Sequence, residues 1–110
     1  MTIHKMTLKQ PYYDYIKSGY KTIELRLYDQ KRQLIRPGDE IIFQNGDMTN
    51  TVMVKGLVRA ENFESLFTII DVKKTGLETV DNALNIMEEF YDKNAQAKFG
   101  VVGIVVENKE

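Results

Sequence analysis

Gly19-Tyr20-Lys21-Thr22-Ile23-Glu24-Leu25-Arg26-Leu27 is the stretch from which the rest of the chain can be read. From Lys21 onward polar and apolar residues alternate, the period-2 mark of a strand with two unlike faces. Ile23, Leu25 and Leu27 turn inward, while Thr22, Glu24 and Arg26 share the opposite face. By strand rise, Glu24 and Arg26 stand roughly 6 to 7 Å apart and point the same way. A carboxylate, a guanidinium and a hydroxyl so placed have two readings. Either they orient a base edge or a phosphate, or they form a solvated face with a weak ion pair. Lys21 enters the strand from a turn, where a lysine either solvates the turn or, partly buried, serves as a base or helps a nucleophile.

Towards the N-terminus, Ile3 to Leu8 alternates as a second strand, with His4, Met6 and Leu8 on one face. His4 there is either a core histidine holding a backbone carbonyl or a base lining a cleft. Between the two strands the spacing predicts a short helix near 11–18, with Pro11 at its first position and Gly19 just past its end. Helical spacing sends Tyr12, Tyr15 and Ile16 into the core and leaves Tyr13 outside as a platform on which a base can stack.

Towards the C-terminus, Tyr28 to Ile35 reads as a polar loop carrying a helical turn. Its Asp29, Lys31 and Arg32 are either solvated or extend an anion-binding rim beside Arg26. Pro37-Gly38-Asp39 is a turn without the glycine-rich surroundings of a phosphate loop. Glu40 to Phe43 and Thr51 to Arg59 flank Asn45-Gly46, the signature of a hairpin. Asn62 caps a short helix through Phe63, Leu66, Phe67 and Ile70. Thr75-Gly76-Leu77-Glu78 reads as a capping box that opens a helix with Leu77, Val80, Leu84, Met87, Phe90 and Tyr91 on one stripe. Phe99 to Val106 is apolar on both alternating faces, as a central strand covered from two sides would be. The pattern predicts an α+β fold with a mixed sheet or small barrel, one domain over 1–107, and a frayed tail at 108–110.

A chain of 110 residues buries one core and no second. The absence of cysteine excludes disulfides, thiolate metal sites and a cysteine nucleophile, and one histidine makes no histidine cluster, so no metal or cofactor is expected. The longest apolar run, Val101 to Val106, is far too short to span a bilayer, and the first residues lead into no signal-type apolar region. These features predict a cytosolic protein with no membrane partner. Up to Arg36 the chain holds eight bases and three acids, and beyond it seven bases and thirteen acids. Such asymmetry suits one face that attracts an anion, or arises from solvated residues scattered by chance.

Gly19 to Arg26, the Ile35-Arg36-Pro37-Gly38-Asp39-Glu40-Ile41-Ile42-Phe43 segment, the strand with His4, the helix with Tyr12, Tyr13 and Ile16, and the closing Val101-Val102-Gly103-Ile104 together resemble the ASCH domain family of the PUA-like superfamily. The resemblance implies a small mixed β-barrel with flanking helices. It also implies a cleft beside the Gly-x-Lys-Thr segment and a role in binding RNA or modified nucleosides. The polar strand face inside the basic N-terminal third makes Lys21, Glu24, Arg26, Lys31 and Arg32 the expected ligands there of RNA or a nucleotide-like molecule, with His4, Tyr13 and Thr22 as further candidates. In N4-acetylcytidine amidohydrolases of similar pattern the Gly-x-Lys-Thr lysine is catalytic and matches Lys21, whereas their catalytic threonine falls where this chain has Glu24. Their catalytic glutamate lies in the mid-chain helical region, near Glu61, Glu64 and Asp71 of this sequence. The alternative function is therefore a metal-independent hydrolase acting on an acylated nucleoside or on RNA, with Lys21 and Glu24 as its acid-base pair.

Overall fold

In the computed structural model, which describes residues 1–109, five strands form one mixed sheet curled into a half-barrel. They are β1 (Ile3–Thr7), β2 (Ile23–Leu27), β3 (Glu40–Asn45), β4 (Met48–Ala60) and β5 (Val101–Asn108), paired in the order β1-β3-β4-β5-β2. Only β1 and β3 run parallel, since the chain between them crosses over through a helix and β2. The other neighbours are antiparallel. A register shift between Val54 and Gly56 bends the long β4 between its two partners.

The hairpin turn lies one residue later than Asn45-Gly46 suggests. Asn45 still pairs with Met48, so Gly46 and Asp47 are the central residues. Gly46, at φ 59°, takes the first central position, where a II′ turn needs positive φ.

Four helices flank the sheet: α1 (Tyr12–Ser18), α2 (Phe63–Leu66), α3 (Val80–Phe90) and α4 (Lys93–Phe99). Gly19 ends α1 in the left-handed region, its N–H donating to the Ile16 carbonyl. Asn62 caps α2 as predicted, accepting from the Ser65 amide at 2.8 Å, but the helix stops at Leu66 and the following residues form turns.

The capping box at Thr75 does not form. Thr75 closes a 3-10 turn over Val72–Thr75, Gly76 follows in the left-handed region, and Thr79 caps α3 by accepting from the Asn82 amide. A residue with positive φ terminates a turn and so cannot start the helix that the box requires. Nothing in the sequence predicts α4, whose polar Lys-Asn-Ala-Gln-Ala-Lys composition carries no apolar stripe. Asp92 caps it, accepting from the Ala95 amide at 2.7 Å.

Apolar residues cluster on both faces of β5. Met6, Leu8, Tyr13, Ile16, Phe43, Val102 and Ile104 pack on one side. Ile23, Leu25, Phe63, Leu66, Met87 and Val101 pack on the other, under α2 and α3. The two-sided burial expected of the closing strand is thus present. Its end is not frayed at Asn108, whose side-chain amide donates to the carbonyls of Ile16 and Lys17. Lys109 reaches Glu40 at 2.6 Å, and Glu110 lies outside the described residues. Among the described residues, no helix is long and apolar enough to cross a membrane.

Candidate functional site

The sheet does not close: β1 and β2 are its two unpaired edges. The gap between them opens into a cleft of about 240 Å³. Thr7, Leu8 and Lys9 form one wall at the end of β1, and Glu24, Leu25 and Arg26 of β2 form the other. Tyr12 comes from α1, and Leu77, Met87, Phe90 and Tyr91 from the α3 region. The Arg26 guanidinium bridges the gap, donating from Nη2 to the Thr7 carbonyl at 2.7 Å.

The period-2 alternation of β2 turns Glu24 and Arg26 to one side, as predicted, but that side is not solvated: it meets Tyr12 of α1 and Phe90 and Tyr91 at the end of α3. Lys21 and Glu24 are each only 4% exposed. Lys21 Nζ lies 3.1 Å from Glu24 Oε1, and Arg26 Nε lies 2.7 Å from Glu24 Oε2, so each carboxylate oxygen has its own cation. Lys21 also donates to the Thr75 carbonyl at 2.9 Å and sits 5.4 Å from the centre of the Tyr12 ring. The left-handed turn at Gly76 makes this possible: a Cβ there would stand 3.1 Å from the Tyr15 ring and 3.4 Å from the Lys21 side chain. Glycine lets the turn bring the Thr75 carbonyl against the ammonium.

Burial pushes the Glu24 carboxyl up, but Lys21 and Arg26 outweigh it and hold the group below the ordinary carboxylate value. Burial would lower the Arg26 guanidinium, and Glu24 more than restores it. Burial is also the largest influence on the Tyr12 and Tyr91 phenols and raises both. The cleft therefore presents fixed charges and neutral hydroxyls. Beyond its present bonds Lys21 keeps one N–H donor, Arg26 keeps three, and the Glu24 carboxylate keeps unused lone pairs.

Of the residues singled out in the sequence, Lys21, Glu24 and Arg26 come together here. Tyr13 does not join them. It is 1% exposed and packs in the core, and Tyr12 faces the cleft in its place. On a two-turn helix the 12/15/16 and 13/16 stripes fit helical spacing equally well, and the position of the half-barrel decides between them. His4 is also turned away from the cleft, with Nε2 2.8 Å from Asp39 Oδ2, while Asp39 accepts from the backbone amides of Thr2 and Arg36. Thr22 precedes β2 and is held through its backbone by Lys74 and Val106. Lys31 is exposed on the loop and does not line the cleft. Arg32 pairs with Asp29 at 3.3 Å, near enough to Tyr91 for its charge to act on that phenol. Leu77, Met87, Phe90 and Tyr91 were legible only as a core stripe, although their spacing already placed Met87, Phe90 and Tyr91 together.

A second, wider hollow of about 930 Å³ lies beside α4, lined by Arg59, Glu61, Glu64, Glu88, Lys93 and Lys98 among others. Glu61 and Glu64 face this groove, and Asp71 accepts from the Lys73 amide; none of the three lines the cleft.

The chain matches no curated protein by sequence. It is similar to solved structures along its whole length. Hypothetical protein PH0355 is 34% identical with a TM-score of 0.90, covering 98% of this chain and 100% of its own. Protein PF0455 from Pyrococcus furiosus is 32% identical with a TM-score of 0.80, covering 99% of each chain. The ASCH protein from Zymomonas mobilis is 12% identical with a TM-score of 0.71 over 96% of this chain and 67% of its own, a likeness of fold alone. With the ASCH domain profile matching residues 6–110, where the cleft, its three charged residues and four of the five complete strands lie, the chain belongs to the ASCH domain family.

Proposed function

We propose that the protein binds RNA through a single unstacked nucleobase or nucleoside held in the cleft between β1 and β2. The observation that carries this reading is the buried Lys21–Glu24–Arg26 cluster lining a small hollow together with Tyr12, Phe90 and Tyr91. Apolar and aromatic walls with a few fixed polar groups are the usual make-up of a small-ligand site. The volume suits something smaller than a drug-sized ligand. Glu24 accepts from an exocyclic amine, Arg26 and Lys21 donate to carbonyl or phosphate oxygens, and an aromatic wall takes the face of the base. Lys9 at the rim adds a phosphate contact.

The hydrolase alternative needs Glu24 to exchange a proton. A carboxylate held ionised between two cations suits an anchored acceptor better than a general acid. Nucleosides, nucleoside monophosphates and short single-stranded RNAs titrated at low salt test the proposal. Binding is expected, the RNA affinity falling as salt is added. Arg26→Lys, which keeps the charge and loses the planar fork, should weaken it about tenfold. The absence of any nucleoside or RNA binding would sink the proposal. Formation of cytidine from N4-acetylcytidine, or of cleaved RNA, lost in Lys21→Ala, would replace binding with turnover.

A further inference from the structure

Four aromatic side chains touch in series from the cleft outward across α1. The Phe90 and Tyr12 ring centres are 6.4 Å apart, Tyr12 and Tyr15 are 6.3 Å apart, and Tyr15 and Tyr20 are 5.0 Å apart, each pair edge to face. The first two line the cleft. The last, Tyr20, is 59% exposed just past the Gly19 cap of α1. A tyrosine so exposed adds little to the core, and Tyr20 makes no side-chain hydrogen bond that would explain its position.

Exposed cations flank this row. Lys9 Nζ lies 5.7 Å from the Phe90 ring centre at one end. Towards the other end are the exposed Lys73 and Lys74, on the turn whose Lys74 carbonyl accepts from the Thr22 amide two residues past Tyr20. Acids share this region too: Asp71 caps the turn that carries Lys73 and Lys74. Asp14 is engaged by the Gln10 side chain, and Glu89 acts on the Tyr12 phenol.

We infer that the row from Phe90 to Tyr20 is a track for single-stranded RNA, along which the strand leaving the cleft stacks a base on the exposed Tyr20 ring while Lys73 and Lys74 meet its phosphates. The inference rests on the cleft reading above and goes further, since it makes the ligand a strand and gives its direction of exit. Aromatic faces bordered by lysines are how single strands are held without reading sequence, because every base has a stacking face. The cleft has room for one base taken out of its stack and not for a base pair.

The test compares a mononucleoside with a fluorescent tetranucleotide on the wild-type chain, Tyr20→Ala and Tyr20→Phe. Thermal unfolding is run alongside, and should show the exposed site leaving the fold unchanged. The tetranucleotide is expected to bind wild type more tightly than the nucleoside does. Tyr20→Ala should lose about fivefold or more of the tetranucleotide affinity and none of the nucleoside affinity, and Tyr20→Phe should keep both. If Tyr20→Ala leaves tetranucleotide affinity unchanged while nucleoside binding persists, the track is overturned and the cleft reading stands. If Tyr20→Phe loses as much as Tyr20→Ala, stacking is not the interaction and the track is again overturned. If neither ligand binds wild type, the cleft reading fails and the track fails with it.

Discussion

The cleft between β1 and β2 and the groove beside α4 both carry acids and bases, and the groove is by far the larger. Their charges live in different media. In the groove Lys93 and Glu88 are 3.8 Å apart with side chains 85% and 46% exposed, and Arg59 lies over the Tyr28 ring at its edge. Water solvates such a pair whether or not its partner is present, so the pair adds little. In the cleft Glu24 is almost wholly out of water, and so is Lys21. A charge placed there must be matched, and its field on a ligand is screened much less. Volume locates where something can fit, whereas desolvated charge locates where it is recognised.

The sharpest way to break this comparison is to delete the central carboxylate. Glu24→Ala leaves two cations around an empty buried site and should cost about 3–5 kcal/mol in urea-induced unfolding. Glu24→Gln keeps the shape and an acceptor and should cost less. A Glu24→Ala loss under about 1 kcal/mol would mean that water reaches the site, and the contrast with the groove would vanish.

Acid should produce the same loss without mutation. The folded-state value of Glu24 lies below its ordinary 4.5, so its contribution is fully present above that value and fades as pH falls through the lowered one. Asp39, held down to about 2 from an ordinary 3.8 first by the bond to His4 and then by the Thr2 amide, behaves likewise. Its share is present above about pH 4 and is lost as pH approaches 2. Wild-type stability should therefore decline between about pH 5 and pH 2, and Glu24→Gln should decline less steeply.

Gly76→Ala should cost about 1–2 kcal/mol for the left-handed backbone alone, and its Cβ would press on Tyr15 and Lys21. Ligand affinity in the cleft should fall with it. Gly100→Ala has a similar φ but crowds the Ala60 carbonyl beside the groove, so it should cost stability and leave the cleft affinity unchanged. Equal effects of both on binding would show that the cleft responds to general destabilisation. The smallest effect belongs to Glu88→Ala, within about 0.5 kcal/mol of wild type by the same unfolding measurement.

How much of the site could be read from the chain depends on how far apart its parts are. Glu24 and Arg26 were legible as a pair because strand geometry alone turns alternate residues to one side. Lys21 was legible beside Glu24 as its acid-base partner, but the direct 3.1 Å contact was beyond local reading, since the turn before β2 has no period to extrapolate. The Thr75 carbonyl that also holds Lys21 is 54 residues distant and was assigned to a helix cap. Tyr12 and Tyr13 were interchanged because a two-turn helix has two plausible faces.

The sequence by itself determined the alternating strands, the β3–β4 hairpin to within one residue, the central place of β5 and the charged face of β2. Each follows from local periodicity, turn chemistry or the absence of polar residues, which act over a few neighbours. Only the tertiary structure decided that the charged face is buried, that Tyr12 and not Tyr13 meets it, and that Leu77, Met87, Phe90 and Tyr91 wall a cleft. Those outcomes depend on where α1 and α3 dock across the open edges of the half-barrel, and burial is a property of the assembled surfaces that no single segment contains.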